Sequence, residues 1–380
     1  MLVVAEVVNS QDLRVFIDLP YRLYRKDQNY VPPLRSQIKD MLTGKDNMLF
    51  GYGPHALLLC RKQGRVVGRV MLGVDLTYNQ VNGYSSAWFS LFECEPDEQA
   101  AEALLTAMER WALQQGADYL RGPESPDNGD SYKGFLVMGF EGPPGLMNSY
   151  NPPWYGIFLE KHGFEKNLDL YAYYVTEDKF TRKNAAKVID YAMKRFGYHV
   201  DYVNFKQLDR DIRDIHEILV KTIPTFEEEH MSVPSLEDID KFARSILPIA
   251  DPGLICIART NGDERPIGYV VALPEYNQVF RKIRDGRLLP FGFIKYLYYR
   301  RKINAIRVFM QFVVPEWQRK AVNNAMFHRV YQTAVAKGYH AGDGSTIGET
   351  NRQSRLSVEK LGGEHYRTYR LYKKKISAPI

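Results

Sequence analysis

The sequence predicts an α/β fold in which a mixed sheet covered by helices is built twice. Apolar, strand-like runs alternate with amphipathic helical segments along all 380 residues, which is typical of sheets covered by helices. The order strand, two helices, three strands, helix, strand, helix, strand occurs once in each half. Because the chain is long enough for two separate cores, we expect one domain at residues 1–178 and a second at residues 179–380.

Composition narrows the possible functions. Hydrophobic residues make up 45% of the chain and charged residues 25%, as in ordinary soluble proteins. The net charge of +6 is too small to predict a DNA partner, but it suits an anionic ligand. The three cysteines form no CxxC pair, which favours a reducing compartment and predicts a cytoplasmic protein. Neither a signal peptide nor an apolar stretch of about 20 residues is recognisable, so no membrane-spanning segment is expected.

Apolar spacing and turn residues define the elements of the first half. Ala100, Leu104, Met108 and Trp111 follow a helical period that Gly116 ends. The predicted strands lie at residues 3–8, 55–61, 65–74, 84–94, 117–121 and 168–175. The predicted helices lie at residues 11–26, 34–42, 96–115 and 151–162.

The second half repeats this order around an insertion at residues 274–302. Val322, Met326, Val330 and Ala334 recur every four residues, and Gly338 ends that helix. The predicted strands lie at residues 199–203, 255–259, 267–273, 305–314, 339–347 and 366–372. The predicted helices lie at residues 183–196, 212–223, 322–337 and 351–361.

Individual residues support an internal repeat with an offset of about 200 positions. One match could be chance, but several at nearly the same offset, in the same place within the same element order, indicate a duplicated unit. The matching pairs are Gly68 with Gly268, Asn151 with Asn351, and Glu160-Lys161-His162-Gly163 with Glu359-Lys360-Leu361-Gly362.

The stretch at residues 313–326 is the strongest candidate for a ligand site. It leads from a predicted buried strand directly into an amphipathic helix, so several backbone N–H groups point to one place at the positive end of a helix dipole. Gln318, Arg319 and Lys320 add a donor and two positive charges. This arrangement is typical of phosphate sites, although an ordinary strand–helix connection is the alternative.

The element order and these residues resemble the GCN5-related N-acetyltransferase fold in tandem, over nearly the whole chain. In that family an Arg/Gln-x-x-Gly-x-Gly/Ala turn holds the pyrophosphate of acyl-coenzyme A, and Gln318, Ala321 and Asn323 lie in register with it. The later family helix, Asn-x-x-Ala-x-x-Leu-Tyr-x-Lys-x-Gly, is matched from Asn351 to Gly362. The resemblance implies acetyl-CoA or a longer acyl-CoA as cosubstrate. The implied contacts are Val313, Val314, Gln318, Arg319, Lys320, Ala321, Val322, Asn323, Asn324, Asn351 and Ser354.

The chain departs from the family pattern at three points. Asn323 places a side chain where glycine normally allows close approach to the pyrophosphate; it either donates to a phosphate or narrows the site. Val358 stands where the family often has a tyrosine that protonates the leaving thiolate. In the first half the equivalent turn, residues 95–102, carries four carboxylates, which satisfy the helix dipole and repel phosphate. The cosubstrate is therefore expected in the second half.

Acyl transfer to an amine needs a base for the ammonium proton and donors for the developing oxyanion. Glu349, at the end of the fifth strand, is our choice of base, and Glu316 is the second candidate, with a solvated turn carboxylate as the alternative. The oxyanion donor is expected among the backbone N–H groups of residues 312–314. Gln311, polar within an apolar strand, is expected to line the substrate cleft or to face outward.

Two further segments are candidates for substrate contact. Asn128 and Asp130 lie in a long polar loop and are expected to hold a polar acceptor, or else to form Asx-turns. The segment at residues 280–302 interleaves basic and aromatic residues, which suits a membrane interface, an RNA contact, the wall of an acyl-chain pocket, or a cover helix. No cluster has the spacing of metal ligands, so no metal is expected.

The expected function is transfer of an acyl group from acyl-CoA to a small-molecule or peptide amine, by direct attack in the second half. One alternative is a Fem-type aminoacyltransferase, which takes its acyl group from charged tRNA. Another is a non-catalytic protein that binds a small ligand. The sequence leaves the oligomeric state and the acyl length open.

Overall fold

The computed structural model describes residues 1–45, 48–126, 131–179, 185–225 and 232–377. The chain divides into two compact units. Unit 1 comprises Met1–Tyr171, Asn277–Arg300 and Arg367–Ile380, and unit 2 comprises Ala172–Tyr276 and Arg301–Tyr366. Each unit therefore draws on residues that are distant in sequence. The domain boundary after residue 178 stays a prediction.

Unit 1 is a sheet with helices on its faces. Its strands are β1 Leu2–Glu6, β2 His55–Lys62, β3 Arg65–Gly73, β4 Ser86–Cys94, β5 Tyr119–Gly122 and β6 Phe135–Met138, with parts of β7 Glu165–Thr176 and of a last strand, Glu364–Lys375. Its helices are α1 Ser10–Leu23, α2 Arg35–Leu42, α3 Leu76–Asn82, α4 Glu98–Gln114 and α5 Trp154–Lys161, and later in the chain Asn277–Phe280 and Gly292–Tyr299.

Unit 2 contains the remaining elements. Its helices are α6 Ala185–Phe196, α7 Leu208–Thr222, α8 Leu236–Ile246, α11 Val322–Ala336 and α12 Arg352–Glu359. The labels α9 and α10 belong to the two late helices of unit 1, Asn277–Phe280 and Gly292–Tyr299. Its strands are β8 Tyr198–Tyr202, β9 Ile255–Thr260, β10 Pro266–Pro274, β11 Ala305–Val313 and β12 Ala341–Gly348, and the last strand of the chain is β13.

The two units share one strand topology. In unit 1 the order is β1-β2-β3-β4-β5, antiparallel except for the parallel pair β4–β5 that α4 connects. In unit 2 the order is β8-β9-β10-β11-β12, antiparallel except for the parallel pair β11–β12 that α11 connects. The predicted duplication is therefore present in the topology of each unit, and the predicted α/β fold with a mixed sheet is confirmed.

The matched glycines have the same packing role in both units. A Cβ at Gly68 would lie 2.5 Å from a methyl group of Leu104 on α4. A Cβ at Gly268 would lie 3.2 Å from a methyl group of Met326 on α11. Both glycines therefore lie against the connecting helix of their unit, and a Cβ at Gly268 would also lie 3.0 Å from the carbonyl oxygen of Phe312 on β11.

Sequence reasoning missed α3, β6, α8 and the short helix α9. Helix α8 carries a complete capping box in which Ser235 and Asp238 satisfy each other's backbone N–H groups. This signal was available in the sequence. Strand β6 is only four residues long and lies inside the polar, glycine-rich segment at residues 122–150, so no periodic pattern could identify it.

Candidate functional site

The parallel pair of unit 2 opens into a fork. The register of β11 and β12 runs from Ala305 opposite Ala341 to Val308 opposite Gly344, and stops there. Both strands nevertheless continue, to Val313 and to Gly348. The carboxyl half of β11 is thus paired on one edge by β10 and leaves its other edge open toward β12. Such an opening at the carboxyl ends of parallel strands is a common position for a ligand.

A bulge lies at the start of the fork. Val271 pairs with Met310, whereas its neighbour Ala272 pairs with Val308, so Phe309 is an extra residue on β11. A bulge of this kind re-aims the backbone that follows it. Strand β4 of unit 1 carries an irregularity at the equivalent place, where the backbone of Leu91 has a φ of 49°.

The pairing with β10 determines which amides face the fork. The Val314 N–H donates to the carbonyl of Ile267 at 3.0 Å, so this pair is hydrogen-bonded. Because hydrogen-bonded and non-bonded pairs alternate along antiparallel strands, the N–H groups of Val313 and Gln311 point away from β10. We expected the oxyanion donor among residues 312–314, but the Val314 N–H is already used in the pairing with β10. The donors on the open edge are the N–H groups of Val313 and Gln311.

The turn after β11 leaves the first amides of α11 without helical partners. Arg319 and Ala321 have positive φ angles of 63° and 61°, and no side chain caps the helix. The first helical bond runs from the Ala325 N–H to the Ala321 carbonyl at 3.0 Å, so the N–H groups of residues 322–324 have no carbonyl one turn back. Amides in this position form the usual cradle for a phosphate.

Two aromatic residues hold this turn in place. The Tyr198 hydroxyl donates to the carbonyl of Lys320 at 3.1 Å, and burial raises the pKa of Tyr198 to about 12, so it remains a donor at neutral pH. The Lys320 ammonium lies 4.4 Å from the centre of the Trp317 ring. Gln318 and Arg319 are exposed. Arg319 and Lys320 thus place two cations beside the uncapped start of α11, where they add to the attraction for an anion.

Asn323 is half-buried within unit 2. Its Oδ1 is fully buried and accepts no hydrogen bond from the described residues. A phosphate oxygen cannot satisfy an acceptor. Asn323 can still donate to an anion, through its side-chain NH2 group and through its backbone N–H, which is one of the three free amides of α11.

The candidate bases differ in environment. Glu349 directly follows β12 and is half-buried, whereas Glu316 is exposed in the short 3-10 turn after β11. Because β11 and β12 run parallel, both carboxylates belong to the edge at which the fork opens.

The remaining predicted site residues have other positions. Asn351 accepts a hydrogen bond from the Ser354 N–H at 3.1 Å and so caps α12. The cap gives Asn351 and the Ser354 amide a structural role. Gln311 is half-buried, and Asn128 and Asp130 lie outside the described residues.

Sequence reasoning missed a buried polar cluster below the fork. Arg307 is 0% exposed, and its Nη2 donates to the carbonyl of Ser345 at 3.1 Å. Asp343 lies opposite Arg307 in the register and accepts from the Tyr366 hydroxyl at 2.6 Å. These contacts fix the point at which the two strands separate. The signal in the sequence was a charged residue inside each of two predicted strands.

The equivalent region of unit 1 is closed. The Asp97 side chain accepts from the Ala100 N–H at 3.2 Å and caps α4 from within. Beside it, the buried Glu93 carboxylate accepts from the hydroxyls of Tyr24 at 2.6 Å and Tyr155 at 2.8 Å. Burial raises the pKa of Glu93 above its ordinary value. The Asp97 carboxylate thus occupies the start of α4, where its negative charge would repel an anion.

The described part of the chain shows neither a metal-binding cluster nor a membrane-spanning helix. Within it, no group of three or more His, Cys, Asp or Glu side chains is arranged to hold a metal ion. No helix of that part has both the length and the apolar composition needed to cross a membrane.

Comparison with solved structures identifies the fold. A tandem GNAT protein from the clavulanic acid biosynthesis pathway matches over 100% of both chains, with a TM-score of 0.62 at 12% identity. A GCN5-related N-acetyltransferase from Sphaerobacter thermophilus matches 100% of this chain and 97% of its own, with a TM-score of 0.54 at 11% identity. The chain therefore has the tandem GCN5-related N-acetyltransferase fold, as its sequence predicted. No family model matches it.

Two curated proteins are similar over nearly their whole length. A bacterial ceramide synthase of Caulobacter vibrioides is 28% identical over 390 residues, which cover 98% of this chain and 97% of that protein. Protein YghO of Escherichia coli is 27% identical over 382 residues, which cover 97% and 94%.

Proposed function

We propose that this protein is an acyl-CoA-dependent N-acyltransferase whose reaction takes place in unit 2. The observation that carries the proposal is the uncapped start of α11, where three free amides and two cations lie directly after a strand whose other edge is open. The phosphates of coenzyme A bind at the amides of residues 322–324, beside Arg319 and Lys320. The pantetheine arm then runs along the open edge of β11, which carries the thioester into the fork.

The reaction is a direct displacement. The acceptor nitrogen attacks the thioester carbonyl, a C–N bond forms, and the C–S bond breaks to release coenzyme A as its thiolate. The N–H groups of Val313 and Gln311 stabilise the oxyanion. Glu349 takes the ammonium proton, which passes through solvent to the thiolate, because Val358 cannot donate one.

The acceptor that we propose is the amine of a long-chain amino alcohol, with a long-chain acyl-CoA as donor. The support is the name of the Caulobacter relative, a ceramide synthase, together with its match along the full chain. Ceramides are N-acylated long-chain bases. If this protein shares the chemistry of that relative, its reaction needs one amine and one acyl thioester. These are the two reactants of the acyl transfer that we propose.

The test measures coenzyme A binding and acyl transfer separately. Purified protein is titrated with acetyl-CoA and palmitoyl-CoA, and thiol release is then followed with sphinganine or short amines as acceptor. We expect binding of both donors and turnover with palmitoyl-CoA and sphinganine. Arg319→Glu should weaken binding about tenfold or more, whereas Lys194→Glu, the same charge change on exposed α6 of unit 2, should not.

Three outcomes would contradict the proposal. If neither CoA ester binds at millimolar concentration, the site is not an acyl-CoA site. If both variants bind alike, the ligand does not use this turn. If the protein instead binds aminoacyl-tRNA tightly and in a salt-sensitive manner, the chemistry is aminoacyl transfer.

A further inference from the structure

Helix α10 of unit 1 presents its apolar side to solvent. Phe293, Ile294, Leu297 and Tyr298 are all exposed, and their spacing of i, i+1, i+4 and i+5 places them on one side of the helix. Gly292, Tyr296 and Tyr299, which face the other way, are only half-buried, and no residue of α10 is fully buried. A surface helix normally has the opposite arrangement. Leu289 and Phe291, just before the helix, extend the exposed apolar surface.

Basic residues surround this surface. Residues 281–300 contain six lysines and arginines and one aspartate, a net charge of +5 when the whole chain has +6. Arg281, Arg287, Lys295 and Arg300 are exposed. Among the described residues, none of these four side chains forms an ion pair with a carboxylate. The segment therefore combines a solvent-facing apolar stripe with cations that are available to anionic groups.

The base of the segment is firmly attached to unit 1. Arg284 donates to the backbone carbonyls of Tyr30 at 2.7 Å and Asp27 at 2.5 Å. The Arg35 N–H donates to the carbonyl of Gly286 at 3.0 Å, and Ile283 is buried. With its base fixed in this way, the segment holds the apolar stripe outward in the folded state.

We propose that residues 281–300 dock unit 1 onto an anionic lipid surface. The apolar side chains enter the boundary between headgroups and acyl chains, and Arg281, Arg287, Lys295 and Arg300 contact lipid phosphates. A large apolar face flanked by Lys and Arg is what interfacial helices use, and each cation near an anionic surface adds to the binding. An apolar helix face alone would fit several kinds of binding partner. The positive charges around this face favour an anionic lipid surface.

Vesicle co-sedimentation of the full-length protein tests the proposal. Vesicles of phosphatidylcholine are compared with vesicles that contain equal amounts of phosphatidylcholine and phosphatidylglycerol. We expect binding to the mixed vesicles that weakens with salt. Phe291→Glu with Ile294→Glu should reduce that binding about tenfold or more. Arg287→Gln with Lys295→Gln should reduce the preference for anionic vesicles.

The chain offers a matched control. Val81 and Val188 are 78% and 64% exposed, close to Phe291 at 73% and Ile294 at 65%. Val81→Glu with Val188→Glu makes the same chemical change elsewhere and should leave vesicle binding intact. Thermal unfolding and CoA binding of each variant show whether it is folded, so a failure of this inference can be distinguished from a failure of the acyl-transfer proposal.

The inference is overturned if the wild type does not bind the mixed vesicles, if it binds neutral vesicles equally well, or if the α10 variant binds like its control. A wild-type dimer that the α10 changes dissociate, without vesicle binding, would assign the surface to a second copy of this chain and would equally overturn it.

Discussion

At the scale of single residues, the left-handed backbone of Ala321 is the feature on which the candidate site depends. A non-glycine residue with φ near 61° pays a steric cost of about 1 kcal/mol. The related family uses glycine at this position. The alanine therefore keeps the shape of the turn and accepts a moderate strain.

We predict that Ala321→Gly raises the free energy of unfolding by about 0.5 to 1 kcal/mol, because glycine relieves the strain. Chemical denaturation measures it. Ala334→Gly, within the regular part of α11, is the control and should lower stability by about 1 kcal/mol or more, because it loses helix propensity and buried packing. If Ala321→Gly also lowers the free energy of unfolding, the left-handed backbone conformation of Ala321 is contradicted.

Glu349 carries the second prediction at this scale. Glu349→Gln should lower kcat about a hundredfold or more, with little change in CoA affinity, because the amide cannot take the ammonium proton. A raised pH should partly restore the rate by deprotonating the amine in solution. Glu316→Gln removes the same charge from an exposed turn and should change kcat little. A large loss for Glu316→Gln alone would transfer the role of base to that residue.

At the scale of elements, periodic patterns located most helices and strands correctly, because burial of an apolar face fixes the helical or strand period. The α4 and α11 patterns are examples. The fork, the bulge at Phe309 and the cluster at Arg307 could not be predicted in this way. They depend on a bulge in the β10–β11 register and on the early end of the β11–β12 pairing, and an alternating apolar pattern does not mark the positions of such irregularities.

Strands β7 and β13 carry an ion pair in unit 1 that makes stability depend on pH. Asp169 accepts from Arg370 Nε at 2.8 Å and lies 3.0 Å from Lys166 Nζ. Burial by itself raises the pKa of Asp169, but the hydrogen bonds from Arg370 and Lys166 outweigh it, so this pKa is lower than its ordinary value. A depressed pKa stabilises the fold above the unfolded-state pKa, and that stability is lost as the pH falls through the folded-state pKa.

We therefore predict that Asp169→Asn lowers the free energy of unfolding at neutral pH by about 1 to 3 kcal/mol. The difference from the wild type should shrink below about pH 4, where the wild-type carboxylate becomes protonated. Urea denaturation across this pH range measures both quantities. A difference that stays constant with pH would mean that the loss comes from packing and not from charge.

At the scale of the whole molecule, the two units share one strand topology. They differ at the start of the helix that connects the parallel strands, where an anion would bind. In unit 1 the Asp97 carboxylate fills the start of α4, whereas in unit 2 the start of α11 is open and flanked by cations. The sequence indicated this asymmetry through the four carboxylates at residues 95–102. We therefore predict one acyl-CoA per chain, bound by unit 2.

Hydrogen–deuterium exchange with and without coenzyme A tests this central claim most directly, because it reports on the amides themselves. We predict that coenzyme A slows exchange in peptides that cover residues 319–325, while peptides that cover residues 97–101 exchange as before. Protection at the start of α4, or none at the start of α11 under saturating coenzyme A, would contradict the claim.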